Sequence, residues 1–197
     1  MLSARHRERV DRILSSHRPP ETYALRGVLM FGVAECERSR LAPDVLRSGD
    51  LAAFGRMMNV SHDGDRVCRY TRGKTGRWRR SAYAYDAGDA AVAARCDDLA
   101  GGDDGRVRAA GLHMQPGGYR CSTYRIDRMV DVALAAPGVY GAQLAGAGLG
   151  GCIMVLARPG AMGKLERSLR EQYYEPAGVE PDMHVCRPVE GSGLIRV

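Results

Sequence analysis

Apolar residues recur at helical spacing in four stretches and run continuously in one, and this alternation sets the expected order of elements. From Ser3 to Ser16 the positions Val10, Ile13 and Leu14 fall at steps of three and four among charges, which predicts a surface helix ended by Pro19 and Pro20. From Glu21, with Thr22 as a candidate cap, Leu25, Leu29, Val33 and Cys36 mark the inward stripe of a second helix. Pro43 should kink or restart it. Asp50 then caps a third helix, DLAAFGRMMNVSH, with Leu51, Phe54 and Met58 on one face.

Between residues 63 and 118 the periodicity fades and turn dipeptides recur, among them Asp63-Gly64, Gly101-Gly102 and Gly117-Gly118. This reads as an inserted region, solvated and partly mobile, with a short helix over Ala87 to Leu99. Order returns at Ser122, a candidate N-cap for a helix whose stripe is Ile126, Met129, Val130, Ala133 and Leu134. Pro137-Gly138 closes it. A short extended run, a glycine-dense loop from Gly146 to Gly151 and a continuous apolar strand from Cys152 to Ala157 follow. A helix over Ala161 to Tyr173 with Leu165 and Leu169 inside, then a strand in MHVCRPV, complete the chain. Helix, strand, loop, strand, helix, strand describes an α+β fold: an antiparallel sheet covered by helices, with an inserted loop region.

Composition narrows the class. The 197 residues are 45% apolar, enough for one core without a metal or disulfide staple. No apolar run approaches the roughly 20 residues needed to span a bilayer, and the charged start does not read as a signal peptide, so a cytoplasmic protein without membrane contact is expected. The six cysteines show no C-x-x-C pair, which argues against a metal site and for reduced thiols. Cys152 and Cys186, in apolar runs, read as small buried hydrophobes. The net charge is +6, yet all but two of the 29 basic residues (Lys74 and Lys164) are arginine, a skew that genome composition explains. Arg66 to Arg80, with Tyr70 and Trp78 interleaved, could grip phosphates, but like-charge clusters usually make solvated surface, so nucleic acid is an unlikely partner.

Among chemical motifs, Gly146, Gly148 and Gly151 spell G-x-G-x-x-G. The dinucleotide fingerprint needs a helix after the third glycine, and a strand follows here, which excludes that use. Glycines without a Cβ let bare amides approach an anionic or hydroxylated ligand, or simply shape a tight hairpin. Ser61 and His62 point about 100° apart on a helix and cannot pair as nucleophile and base, leaving His62 as a helix-end polar contact. Glu35 and Glu37 do not share a face. Asp127 and Asp131 share one at i, i+4 and could hold magnesium, but an electrostatic role at the helix start is plainer. Tyr173-Tyr174 should anchor a helix end. No residue is assigned a catalytic role, and none a metal.

The run GVYGAQLAGAGLGGCIMVL, from Gly138 to Leu156, resembles the third signature of the GHMP kinases, in particular of their galactokinase branch. Upstream, CSTYRIDRMVDVALAAPGVYGA with its Ile126-Asp127 pair, GDLAAFGRMMNVSH with Ser61-His62, and VAECERS around Glu35 resemble the same branch. The resemblance implies that residues 1–197 form a ferredoxin-like C-terminal domain carrying an insertion at about 63–118. It further implies ATP and magnesium as cofactors and phosphoryl transfer to a sugar hydroxyl, most simply galactose, or a related hexose, pentose or uronic acid. In that family the loop here represented by Gly146, Ala147, Gly148, Gly150 and Gly151 lies near substrate and phosphates. The Gly-Leu-Ser-Ser-Ser phosphate cradle and the aspartate acting on the hydroxyl have no counterpart here. Partners should therefore be the sugar, ATP and the missing N-terminal kinase domain, without which the chain should be silent. The alternative is a non-catalytic binding module that self-associates.

Overall fold

The computed structural model describes residues 3–18, 20–146, 148 and 151–187. Helix α1, Ala4–Ser15, starts at the Ser3 cap and has no buried residue. Helix α2, Leu25–Arg47, begins later than the sequence predicts, with no side-chain cap, and runs through Pro43 without interruption. Asp50 caps α3, Leu51–Asp65, accepting from the Ala53 amide at 2.8 Å, as expected.

The stretch from 63 to 118 carries regular secondary structure where fading periodicity predicts little. It contains the hairpin β1, Cys68–Arg72, with β2, Trp78–Ala82, then α4, Asp89–Gly101, and α5, Asp104–Ala110. Helix α4 buries no residue. Helix α6, Tyr124–Leu134, is capped by Thr123, one position after the expected Ser122, and turns Ile126, Val130 and Ala133 into the core. Strands β3, Val139–Leu144, and β4, Ile153–Ala157, pair antiparallel. Helix α7, Met162–Leu169, continues into a π-helical stretch, Arg170–Tyr174, and ends in α8, Glu175–Ala177. Met183 to Arg187 form no strand, and Pro188 and Val189 lie outside the described residues.

The core joins α6, β3 and α7: Ile126, Val130, Val132, Ala142, Leu144, Leu165, Leu169, Tyr173 and Tyr174 are all buried in it. The α+β class is as expected, with the sheet divided into two separate two-stranded hairpins. Side chains of helices explain the division. On β3, the Ala142 amide donates to Asn59 Oδ1 at 2.9 Å and the Leu144 amide to His62 Nδ1 at 3.3 Å, both from α3. On β1, the Cys68 amide donates to Asp127 Oδ2 at 2.8 Å and the Tyr70 amide to Asp131 Oδ2 at 2.6 Å, both from α6. Two residues of strand advance about 6.7 Å, and three or four of helix about 4.5–6 Å, so an i, i+3 or i, i+4 pair of side chains can serve alternate strand amides. Each hairpin thus has an edge occupied by a helix in place of another strand.

Glycine makes the α3–β3 contact possible. A Cβ on Gly55 would strike the Tyr140 carbonyl, and one on Gly141 the Gly55 carbonyl. The two backbones meet where neither carries a side chain.

Two expectations about burial are reversed. Leu25, Leu29 and Val33 of α2 are 73%, 66% and 41% exposed, and Cys36 is exposed, whereas Gly27, Ala34 and Arg38 face inward. The apolar periodicity locates a stripe but not the partner it faces, and here the inward side is a close backbone contact, with the Gly118 amide donating to Gly27 O at 2.8 Å. Cys152 and Cys186 are likewise exposed, while Cys68 is the buried thiol.

Candidate functional site

The ordered elements converge on the stretch that leaves β3. Here α3 contributes His62, α6 contributes Asp127, and the segment before α6 contributes Ser122 and Cys121. His62 and Asp127 are fully buried. Acceptance of the Leu144 amide at Nδ1 places the imidazole hydrogen on Nε2, which faces Asp127 Oδ1 at 3.3 Å but is poorly aligned for a hydrogen bond. Ser122 Oγ donates to the same Oδ1 at 2.6 Å, and the Val67 and Cys68 amides donate to Oδ2 at 3.0 and 2.8 Å. Burial alone would raise the pKa of Asp127; His62, Ser122 and the two amides outweigh it and hold the carboxyl below its ordinary value.

Asp131, one turn on, meets Arg66 Nη1 at 2.8 Å, and Arg66 Nε meets Asp63 Oδ1 at 2.8 Å. Burial raises the Asp131 pKa despite Arg66 and the Tyr70 amide. Arg66 is 2% exposed and therefore structural, not a solvated surface, while Arg69 pairs with Asp63 and stays partly exposed. Asp65 accepts from Cys121 Sγ at 3.1 Å; burial raises the pKa of both groups, the thiol to about 12, which leaves it protonated and unreactive.

The glycine loop starts where this network ends. The Ala145 amide donates to Cys152 O at 2.9 Å, closing the base of the loop. Gly146 has φ +74° and no atom of the described residues within 4 Å of where a Cβ would be; Gly148 has φ +85° and is buried, its missing Cβ directed at the Cys121 carbonyl. Gly151 is exposed. Ala147 and Gly150 lie outside the described residues. Glycine therefore has two jobs here: Gly148 allows close packing, and Gly146 keeps an approach open.

The remaining candidates are accounted for by local pairing. Glu35 pairs with Arg38, and Glu37 with Arg40. Tyr173 and Tyr174 are buried against each other edge to face in the π-helical stretch. The sequence does not single out Asn59; His62, expected as a helix-end polar contact, does lie in the last turn of α3 and accepts from the Leu144 amide. The i, i+3 spacing of two polar side chains on an otherwise apolar face was the available signal. Asp127 and Asp131 do share a face, but their oxygens go to strand amides and Arg66. Among the described residues no group of three His, Cys, Asp or Glu side chains converges on a metal, so magnesium finds no ligand set in them. No helix in them is long and apolar enough to cross a membrane.

Comparison with known proteins adds a likeness over part of the chain. Residues 99–175 match the family described as GHMP kinases C terminal. A galactokinase from Roseiflexus sp. (strain RS-1) is 25% identical over 182 residues, covering 92% of this chain and 34% of its own length. The galactokinase of Canis lupus familiaris is 31% identical over 114 residues, 58% of this chain and 26% of its own. That of Bos taurus is 30% identical over 145 residues, 74% of this chain and 24% of its own. The chain thus spans 24–34% of the length of these three curated relatives.

Proposed function

Because this chain carries a GHMP kinase C-terminal domain of galactokinase-like type, we propose that it provides the C-terminal part of a sugar kinase that moves the γ-phosphoryl group of ATP to a sugar hydroxyl. All of residues 1–197 belong to that domain, with 63–118 inserted in it. The supporting observation is the buried His62 and Asp127 arrangement, which grips the last amide of β3 and so fixes where the glycine loop departs. Gly146, Ala147, Gly148, Gly150 and Gly151 then lie close to substrate and phosphates, with the open side of Gly146 admitting a ligand oxygen. Phosphoryl transfer rests on positioning and charge stabilisation. ATP with magnesium would supply the transferred group; the described residues of this chain supply loop geometry.

Galactose is the first substrate to test, followed by related hexoses, pentoses and uronic acids. The 197 residues alone should be silent, since the sequence has no counterpart of the phosphate cradle or of the aspartate that acts on the hydroxyl in the family it resembles. The outward apolar stripe of α2, Leu25, Leu29 and Val33, is the surface that an N-terminal kinase domain covers, and failing that a second copy of the chain. The test is galactose-dependent ATP consumption by the purified chain, and by a fusion in which it replaces the aligned C-terminal third of the Roseiflexus galactokinase. Turnover by the fusion and none by the chain alone is expected. Turnover by the chain alone, or a folded fusion inactive with every sugar, overturns the proposal. In the second case a non-catalytic interaction module is the better reading.

A further inference from the structure

A surface depression lies away from the glycine loop. In the β1–β2 hairpin Tyr70 pairs across from Arg80 and Arg72 from Trp78, so these four side chains share one face. Arg80 covers the Tyr124 ring at 4.6 Å. Tyr70, Arg72 and Trp78, with Arg77, Arg128 and Glu171, line an open depression of about 390 Å³. Three guanidinium groups stand there against one carboxylate.

The wall of the depression is built around a backbone irregularity. The π-helical stretch Arg170–Tyr174 interrupts the helical ladder, and such stretches occur often at functional sites. Its Gln172 carbonyl accepts from Arg128 Nη2 at 3.0 Å. Its Gln172 side chain accepts from Trp78 Nε1 at 3.1 Å and donates to Ser168 Oγ at 2.9 Å. The indole ring is therefore locked in orientation. Arg128 Nε is buried yet has no hydrogen-bond partner among the described residues, an uncommon state for a charged donor. Among the described residues Arg77 finds no side-chain hydrogen bond or ion pair, and Arg72 uses only its Nε, on Gly76 O at 3.2 Å.

The geometry points to a binding site for a nucleoside monophosphate, with the base stacked on Trp78 and the phosphate held by Arg72, Arg77 and Arg128. Guanidinium forks suit phosphate, and an immobilised indole suits a flat ring. A mononucleotide fits the observations better than a nucleic-acid strand, because Arg66 and Arg69, the arginines that would extend the track, are already paired with carboxylates. This site is independent of the kinase reading, since it neither shares a residue with the loop nor needs a transferable phosphoryl group.

Trp78 is the only tryptophan in the chain, so its fluorescence reports on the site alone. Titration of the purified chain with AMP should quench it saturably. Arg77→Gln and Arg72→Gln, both on the exposed hairpin, should each weaken binding roughly tenfold with unchanged thermal unfolding, the loss expected for one charge-assisted hydrogen bond. Adenosine and inorganic phosphate should each bind at least tenfold more weakly than AMP. Four results would overturn the site: no saturable quench by AMP, unaltered AMP binding in both variants, phosphate binding as tightly as AMP, or quenching by an oligothymidylate without any by AMP.

Discussion

The two hairpins solve one problem with different chemistry. On β3 the helix-facing amides go to neutral acceptors, Asn59 Oδ1 and His62 Nδ1; on β1 they go to carboxylates, Asp127 and Asp131. The neutral edge needs only shape, and it is accompanied by the glycine contact of Gly55 with Gly141. The charged edge gains stronger hydrogen bonds but requires buried counter-charge, which Arg66 supplies. Asp127 belongs to both, because its second oxygen receives Ser122 and faces His62. A perturbation of the charged edge should therefore reach the glycine loop, whereas a perturbation of the hairpin surface should not.

The largest effect should come from Asp127→Ala. It leaves the Val67 and Cys68 amides and the Ser122 hydroxyl without their acceptor, and denaturant unfolding should show a loss of about 3 kcal/mol or more. Arg66→Ala removes the partner of buried Asp131 and should cost nearly as much, about 3 kcal/mol. A smaller loss, about 1–3 kcal/mol, is expected for Gly55→Ala, whose methyl group has to displace the Tyr140 carbonyl on the neutral edge.

Acid separates the edges further. Asp127 has a lowered pKa in the folded chain, so its stabilisation is complete above its ordinary value of 3.8 and is lost as pH falls through the folded pKa. Asp131 has a raised pKa, so the folded chain takes up its proton first and gains relative stability as pH falls from that pKa towards 3.8. Stability measured between pH 6 and pH 2, on the order of the range set by these groups, should fall less steeply in Asp127→Asn than in the parent, and more steeply in Asp131→Asn. Parallel profiles would show that the two carboxylates do not differ. At the small end, Arg79→Ala on the exposed face of β2 should change stability by no more than about 0.5 kcal/mol.

Much of this was legible in the chain. Stripes such as Ile126, Val130 and Ala133 or Leu165 and Leu169 gave elements and core together, because a helix packed on one side repeats its contacts. The Asp50 cap followed from residue type alone. What failed depended on partners distant in sequence. The α2 stripe was placed inward because nothing in Leu25, Leu29 or Val33 says that Gly27 will meet Gly118 instead. Arg66 looked solvated because its partner Asp131 lies 65 positions away. The glycine loop was visible as a motif, yet the buried histidine that fixes its origin was not, since burial of a polar residue is decided by the acceptor or donor it finds.

The edge assignment can be measured directly by native-state amide hydrogen exchange at Cys68, Tyr70, Ala142 and Leu144. If helix side chains occupy both hairpin edges, all four amides are protected as strongly as the interior of α6, and in Asp127→Asn protection falls at Cys68 and Leu144 while Ala142 keeps it. Exchange of the four at the rate of solvent-facing strand amides in the unaltered chain would contradict the account.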